Sequence, residues 1–248
     1  QFAPRGDYHW FAGDGMIHGF QINEGQISYK NRWVRTTNWT MENEAGEALF
    51  SPLNPMLNDP RVAGLETNGL ANTNIIWHGD KLLALVESHA PFEIEPTNLE
   101  SIGPWTFHEK LKGPMTAHPK IDPETGEMLF FAYNADGPGS SLMAFHVADK
   151  EGNLLTSEFF EAPYPAMVHD FITTREHVIF PIMPLTGSME RAMSGGPFYA
   201  WDPSKRSYIG VMPRKGSTTE IRWFEGDPAY VFHPMNAHTD KDKIICDV

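Results

Sequence analysis

The chain has 248 residues, with 32 Asp and Glu against 19 Lys and Arg and a formal net charge of −13. Such a length can bury a sizeable core in one large domain, and the acidic balance, with no basic cluster, disfavours a nucleic-acid partner. A single cysteine, Cys246, rules out an internal disulfide framework and a cysteine-rich zinc site.

The cysteine usage fits a reducing, cytoplasmic setting, and no run of 18 apolar residues or signal peptide is visible. Asn38-Trp39-Thr40 matches a glycosylation sequon but reads as chance without support for secretion. The first residue is Gln1 and the last ones read as a strand, so both ends are expected to be truncated.

In chain order, residues 8–12 and 16–22 are aromatic or β-branched runs separated by Gly13-Asp14-Gly15. Asn23-Glu24-Gly25 turns into an alternating run over 26–36, which predicts antiparallel strands. Residues 41–49 predict a short helix, and 52–60 a loop. Strand signals resume at 74–78, turn at Gly79-Asp80 and return through 82–87. Further strands are predicted at 128–133, 141–147, 154–160, 167–172, 177–182, 198–201, 208–212, 221–224, 230–236 and 243–247, with a second helix near 187–193. Twenty prolines and 21 glycines punctuate these runs.

Many short strands with a turn every ten residues or so predict an all-β sandwich, barrel or propeller. Recurrent Asp-Pro turns, at Asp122-Pro123 and Asp202-Pro203, favour a propeller of degenerate blades. The length supplies about four blades of four strands each. No composition shift marks a linker, so residues 1–248 read as part of a single domain.

His118 stands in Thr116-Ala117-His118-Pro119, where Pro119 biases it toward extended backbone and a fixed pose. His169 and His233 are also in apolar runs, each followed by a polar or proline break. The intervals of 51 and 64 residues are about one blade or slightly more. Equivalent positions on successive blades would converge on the propeller axis, so three histidines at this spacing could hold one metal. The alternative for each is a satisfied core histidine. Imidazole suits Zn, Cu, Fe or Ni, so the set does not choose the metal. Glu87 follows the apolar run Leu82–Val86 and could orient a metal-bound histidine; its plainer reading is a solvated strand end. No nucleophile elbow, phosphate loop, His-Glu-x-x-His or dinucleotide fingerprint is present.

Beyond the individual residues, the sequence resembles the carotenoid cleavage oxygenases, which include apocarotenoid, lignostilbene and isoeugenol oxygenases and the retinoid isomerase. The resemblance rests on segments spread in order over nearly the whole chain: 13–20, 71–78, 82–87, 116–119 with 122–127, 168–171, 180–184 and 231–237. It implies a seven-bladed β-propeller with Fe(II) on its axis, bound by four histidines. His118, His169 and His233 would be three of them, and the fourth would lie beyond residue 248. Glu87 would be a glutamate behind a ligand, and Phe11 and Val86 would face the substrate. The implied reaction uses O2 to split a conjugated C=C of a small apolar substrate into two carbonyl products, with peripheral membrane contact as one route to such a substrate.

One departure concerns substrate. Lignostilbene-type members carry a Lys before the glutamate and a Tyr in the upstream loop, which bind a phenolic hydroxyl; here the first position is Val86 and the loop around Leu53 has no tyrosine. That favours an apocarotenoid-like or other apolar alkene over a hydroxystilbene. A retinoid-type isomerase and a non-enzymatic propeller are the rival readings.

Overall fold

The computed structural model describes residues 2–6, 9–51 and 55–248. Leu53, and with it the loop expected to matter for phenol recognition, lies outside the described residues, as does Tyr8. The fold class is the all-β propeller type expected from the sequence, built of short antiparallel meanders. The chain divides into two units, residues 1–115 and 116–248.

In the first unit, β1 (Met16–Asn23) and β2 (Gln26–Trp33) form a hairpin. Its two-residue turn has Glu24 at φ 47° and Gly25 at φ 79°, the left-handed pair whose twist matches the flanking strands. Helix α1 (Thr37–Ala45) follows, displaced toward the N-terminus from the predicted 41–49. Thr36 fixes its start by accepting the Trp39 N–H at 3.3 Å, and Gly46 ends it at φ 72°. The chain after Gly46 turns back, and the buried Glu42 carboxylate accepts the N–H groups of Leu49 and Phe50 at 2.8 and 3.0 Å. Leu49 and Phe50 are thereby tied to Glu42 rather than to a continuing helix.

A four-stranded sheet comprises β3 (Asn74–His78), β4 (Lys81–Leu85), β5 (Phe92–Ile94) and β6 (Ser101–Pro104) in sequential order. The predicted Gly79-Asp80 turn is present, with φ 57° at both residues. Strands β5 and β6 escape sequence reading because they are three and four residues long. The strand predicted over 8–12 is instead a single 3-10 turn at Trp10–Ala12, where the His9 ring accepts the Phe11 N–H at 3.2 Å.

In the second unit, β7 (Lys120–Ile121), β8 (Met128–Ala132), β9 (Leu142–Ala148) and β10 (Leu154–Glu161) form one meander. The next contains β11 (Ile172–Thr173), β12 (His177–Ile182), β15 (Ser207–Pro213) and β16 (Arg222–Gly226). Between β12 and β15 an excursion carries β13 (Leu185–Gly187), the short helix α2 (Met189–Met193) and β14 (Tyr199–Trp201). The hairpin β17 (Asn236–Asp240) and β18 (Lys243–Asp247) follows.

Every residue of β8 is buried, whereas β10 alternates, so β8 is covered on both faces and β10 on one. Between the two meanders lies an aromatic core of Phe131, Phe145, Phe171 and Phe180. Phe131 meets Phe171 at 5.0 Å and Phe160 meets Phe180 at 4.9 Å between centroids. The described residues form three four-stranded sheets and three two-stranded ones, in keeping with the partial propeller anticipated from length.

Candidate metal centre

The three histidines singled out by spacing meet in the second unit. His118 Nε2 lies 2.9 Å from His169 Nε2, which lies 3.0 Å from His233 Nε2. Ring centroids are 4.6 to 5.0 Å apart and each pair is edge-to-face. His169 is buried, His118 half-buried and His233 exposed. Among the described residues no other group of three or more His, Cys, Asp or Glu is placed to hold a metal.

None of the three lies within a strand: His118 is in a bend, as Pro119 led the sequence to suggest, while His169 and His233, read from sequence as strand residues, are not in strands. His118 precedes β7 by two residues, and His169 and His233 precede β11 and β17 by three. Each therefore sits in the segment entering the first strand of a sheet. The predicted strands over 167–172 and 230–236 are irregular until Ile172 and Asn236. Thr116 shapes the His118 bend: its Oγ1 accepts the His118 N–H at 3.0 Å, and its own N–H donates to the Phe131 carbonyl at 2.7 Å.

Two contacts hold the histidine-bearing segments together. Phe232 stacks on His169 at 4.1 Å between centroids, with 28° between planes. Lys120 Nζ lies 2.7 Å from Asp170 Oδ1, which also accepts the Phe171 N–H at 2.8 Å. Sequence reasoning assigned Lys120, Asp170 and Phe232 no role. Their only signal was adjacency to the three histidines.

The donor set fits a cation. A ring nitrogen carries either one N–H or one lone pair, so His169 Nε2 can make a good hydrogen bond to only one of its two neighbours. A shared cation satisfies all three nitrogens as lone-pair donors. Adjacent ligands about 2.1 Å from an ion are about 3.0 Å apart at right angles and about 3.4 Å apart at the tetrahedral angle, and the two observed spacings match the right angle. Burial pushes the His118 pKa below its ordinary value; His169, His233 and Lys120 act the same way and Asp170 opposes them. This direction favours the neutral imidazole that a ligand needs.

The remaining expected site residues lie in the first unit. Glu87 follows β4 by two residues, in a turn rather than at a strand end, and is half-buried, as is Val86. Phe11 is exposed in its 3-10 turn, and its carbonyl accepts from Asn72 Nδ2 at 2.8 Å.

Fold and site together define a propeller-type all-β protein carrying a three-histidine group able to bind a metal. The family model described as "Retinal pigment epithelial membrane protein" matches residues 1–248, and the chain belongs to this family, the carotenoid oxygenases. It is 41% identical over 244 residues to isoeugenol monooxygenase of Pseudomonas putida, covering 97% of this chain and 51% of that protein. Against lignostilbene-alpha,beta-dioxygenase isozyme III of Sphingomonas paucimobilis, identity is 37% over 98% of this chain and 51% of the relative. The crystal structure of Pseudomonas brassicacearum lignostilbene dioxygenase superposes with a TM-score of 0.93 at 38% identity, over 99% of this chain and 52% of that one. Cobalt-substituted Synechocystis ACO superposes with a TM-score of 0.83 at 30% identity, over 96% and 52%. The chain spans about half the length of these relatives.

Proposed function

We propose that this chain is part of a non-haem iron(II) oxygenase that uses O2 to split a conjugated C=C of a small apolar substrate into two carbonyl products. The observation that carries the reading is the convergence of three imidazole nitrogens from three separate loops at ligand spacing. His118, His169 and His233 are read as iron ligands, with a fourth histidine in the part of the relatives' length that this chain does not span. Residues 1–248 are read as part of one propeller domain.

Iron(II) held by neutral imidazoles would supply the activation of O2 for this scission. The chain's own contribution is to bind and orient. The bend at Thr116 fixes His118, the Phe232 stack fixes His169 against His233, and burial shifts the His118 ring toward its neutral form. Glu87 is read as the carboxylate that accepts a ligand's second ring N–H. Phe11 and Val86 are read as apolar substrate contacts.

Val86 supports an apocarotenoid-like or other aryl-alkene substrate. A phenylpropenoid or stilbene substrate is the second reading, favoured by the similarity to the isoeugenol and lignostilbene enzymes. The reading includes O2 and a small molecule as partners, a cytoplasmic location and peripheral contact with membranes. No helix among the described residues is long and apolar enough to cross a membrane.

Two measurements test this. Metal analysis of the purified full-length protein, with anaerobic reconstitution, should give bound iron; absence of uptake overturns the oxygenase reading. Incubation under O2 with apocarotenals, isoeugenol and resveratrol-like stilbenes should release aldehydes from the non-phenolic alkenes. Exclusive turnover of phenolic substrates would transfer the assignment to the second reading.

A further inference from the structure

Lys120 and Asp170 are 50 residues apart in sequence, yet each adjoins a histidine of the metal centre. Lys120 follows His118 by two residues, across Pro119, and Asp170 follows His169 directly. The Asp170 side chain is 5% exposed and that of Lys120 30%. Their 2.7 Å contact therefore joins the two loops that carry the 2.9 Å pair of imidazole nitrogens.

Several features make this contact rigid. Asp170 Oδ1 accepts both the Lys120 ammonium and the Phe171 N–H, so one oxygen is fixed from two directions. The Lys120 ammonium also lies 5.6 Å from the Phe171 ring centroid, within the range of a cation–π attraction. Phe171 is wholly buried against Phe131 and Phe180. Asp170 is thus anchored in the aromatic core, and Lys120 reaches to it from the His118 loop. Pro119 leaves little backbone freedom between ligand and lysine.

We propose that Lys120 and Asp170 are a positioning pair that holds the His118 and His169 loops at metal-ligand spacing before any metal binds. The inference rests on the reading of these histidines as ligands. Neither residue touches the metal position in this role. Their effect passes through the two loops, and lowering the freedom of a ligand set before binding raises affinity.

The test is Co(II) binding by the purified metal-free protein, measured by chelator competition and by the Co(II) visible spectrum, which reports coordination geometry. Lys120→Met and Asp170→Asn should each weaken Co(II) roughly ten- to a hundredfold and alter the spectrum. Lys120→Arg should recover most of the affinity, because it restores the charge and the contact. A buried carboxylate without its partner can prevent folding, so the double variant Lys120→Met/Asp170→Leu, which buries no lone charge, provides the same reading. A purely structural pair would lower the thermal midpoint of the metal-free protein and leave Co(II) affinity and spectrum at their starting values; that result overturns the proposal. His118→Ala separates the two levels. If it binds Co(II) as tightly as the unchanged protein, the ligand assignment itself fails, whatever the lysine variants do.

Discussion

The ring of Phe232 lies face to face with that of His169 at 4.1 Å, and His233 is the next residue in the chain. The loop that carries His233 is thereby fastened to the ring of His169. Tyr230 extends the contact, its hydroxyl meeting Met167 Sδ at 3.6 Å. Because His233 is exposed and enters from an irregular segment, this stack is a principal restraint on its position. Phe232→Ala removes an aromatic pairing of about 0.5–1.5 kcal/mol, so metal affinity should fall about two- to twelvefold while His118 and His169 remain in place. Chelator competition measures it, and Phe232→Tyr should behave like the unchanged protein. Equal affinity in Phe232→Ala would show that the stack does not restrain His233.

The three histidines and Glu87 should separate in a metal assay. His118→Ala deletes one of three converging nitrogens and should abolish stoichiometric iron binding. Glu87→Ala, if the carboxylate orients a ligand from behind, should weaken binding by only roughly ten- to a hundredfold. Iron content after gel filtration distinguishes the two. Full iron retention in Glu87→Ala would return Glu87 to its plainer reading as a turn residue.

What could be read from the sequence follows from range. The turns at Glu24-Gly25 and Gly79-Asp80 are decided by two residues each, and both are where the sequence put them. The histidine set was legible because a blade-length spacing is a long-range regularity that survives without knowing the blades. Helix α1 was misplaced because its limits depend on Thr36 and on Glu42 capturing the N–H groups of Leu49 and Phe50. Those bonds form only after the chain has turned at Gly46. Strands β5, β6 and β7 carry four residues or fewer, too short for any period to register. The Lys120–Asp170 contact was invisible for a different reason. A pair 50 residues apart has no local signature, and its meaning comes only from the histidines beside it.

Arg214 offers a test of how the β7–β8 turn is fixed. Its Nη1 lies 2.5 Å from Asp122 Oδ2 and its Nη2 3.6 Å from Glu127 Oε2, with the Arg214 and Asp122 side chains each 13% exposed. Asp122 Oδ1 meanwhile accepts the N–H groups of Glu124 and Thr125 at 2.7 and 3.0 Å. The carboxylate thus organises the turn through one oxygen and meets Arg214, just past β15, through the other. Arg214→Ala leaves that second oxygen half-desolvated, and hydrogen bonds to charged groups contribute about 1.5–3 kcal/mol. Urea unfolding should register a loss of that order, with Arg214→Lys recovering only part because one ammonium cannot span both carboxylates. A loss under about 0.5 kcal/mol, the level of ordinary surface changes, would contradict the assignment.

His146 should make the protein acid-sensitive independently of the metal centre. It lies in β9 with no exposed surface, stacked on Phe130 at 4.8 Å between centroids, and neither ring nitrogen has a hydrogen-bond partner among the described residues. Burial pushes its pKa down from 6.5 to about 4. Between those values the unfolded chain holds a proton on His146 that the folded chain refuses. Stability therefore rises with pH through this window and is flat above it with respect to this group. At about 1.4 kcal/mol for each pH unit of the gap, the loss on acidification to pH 4 is on the order of 3 kcal/mol. His146→Leu keeps the side chain apolar and close in size, so urea midpoints at pH 7, 5.5 and 4.5 should fall less steeply in the variant. The variant should also be the more stable at pH 7, because two unpaired buried polar atoms are gone. Other acid-titrating groups are common to both proteins, so the difference between the two slopes isolates this residue. Identical slopes would mean that His146 is hydrated or partnered in solution.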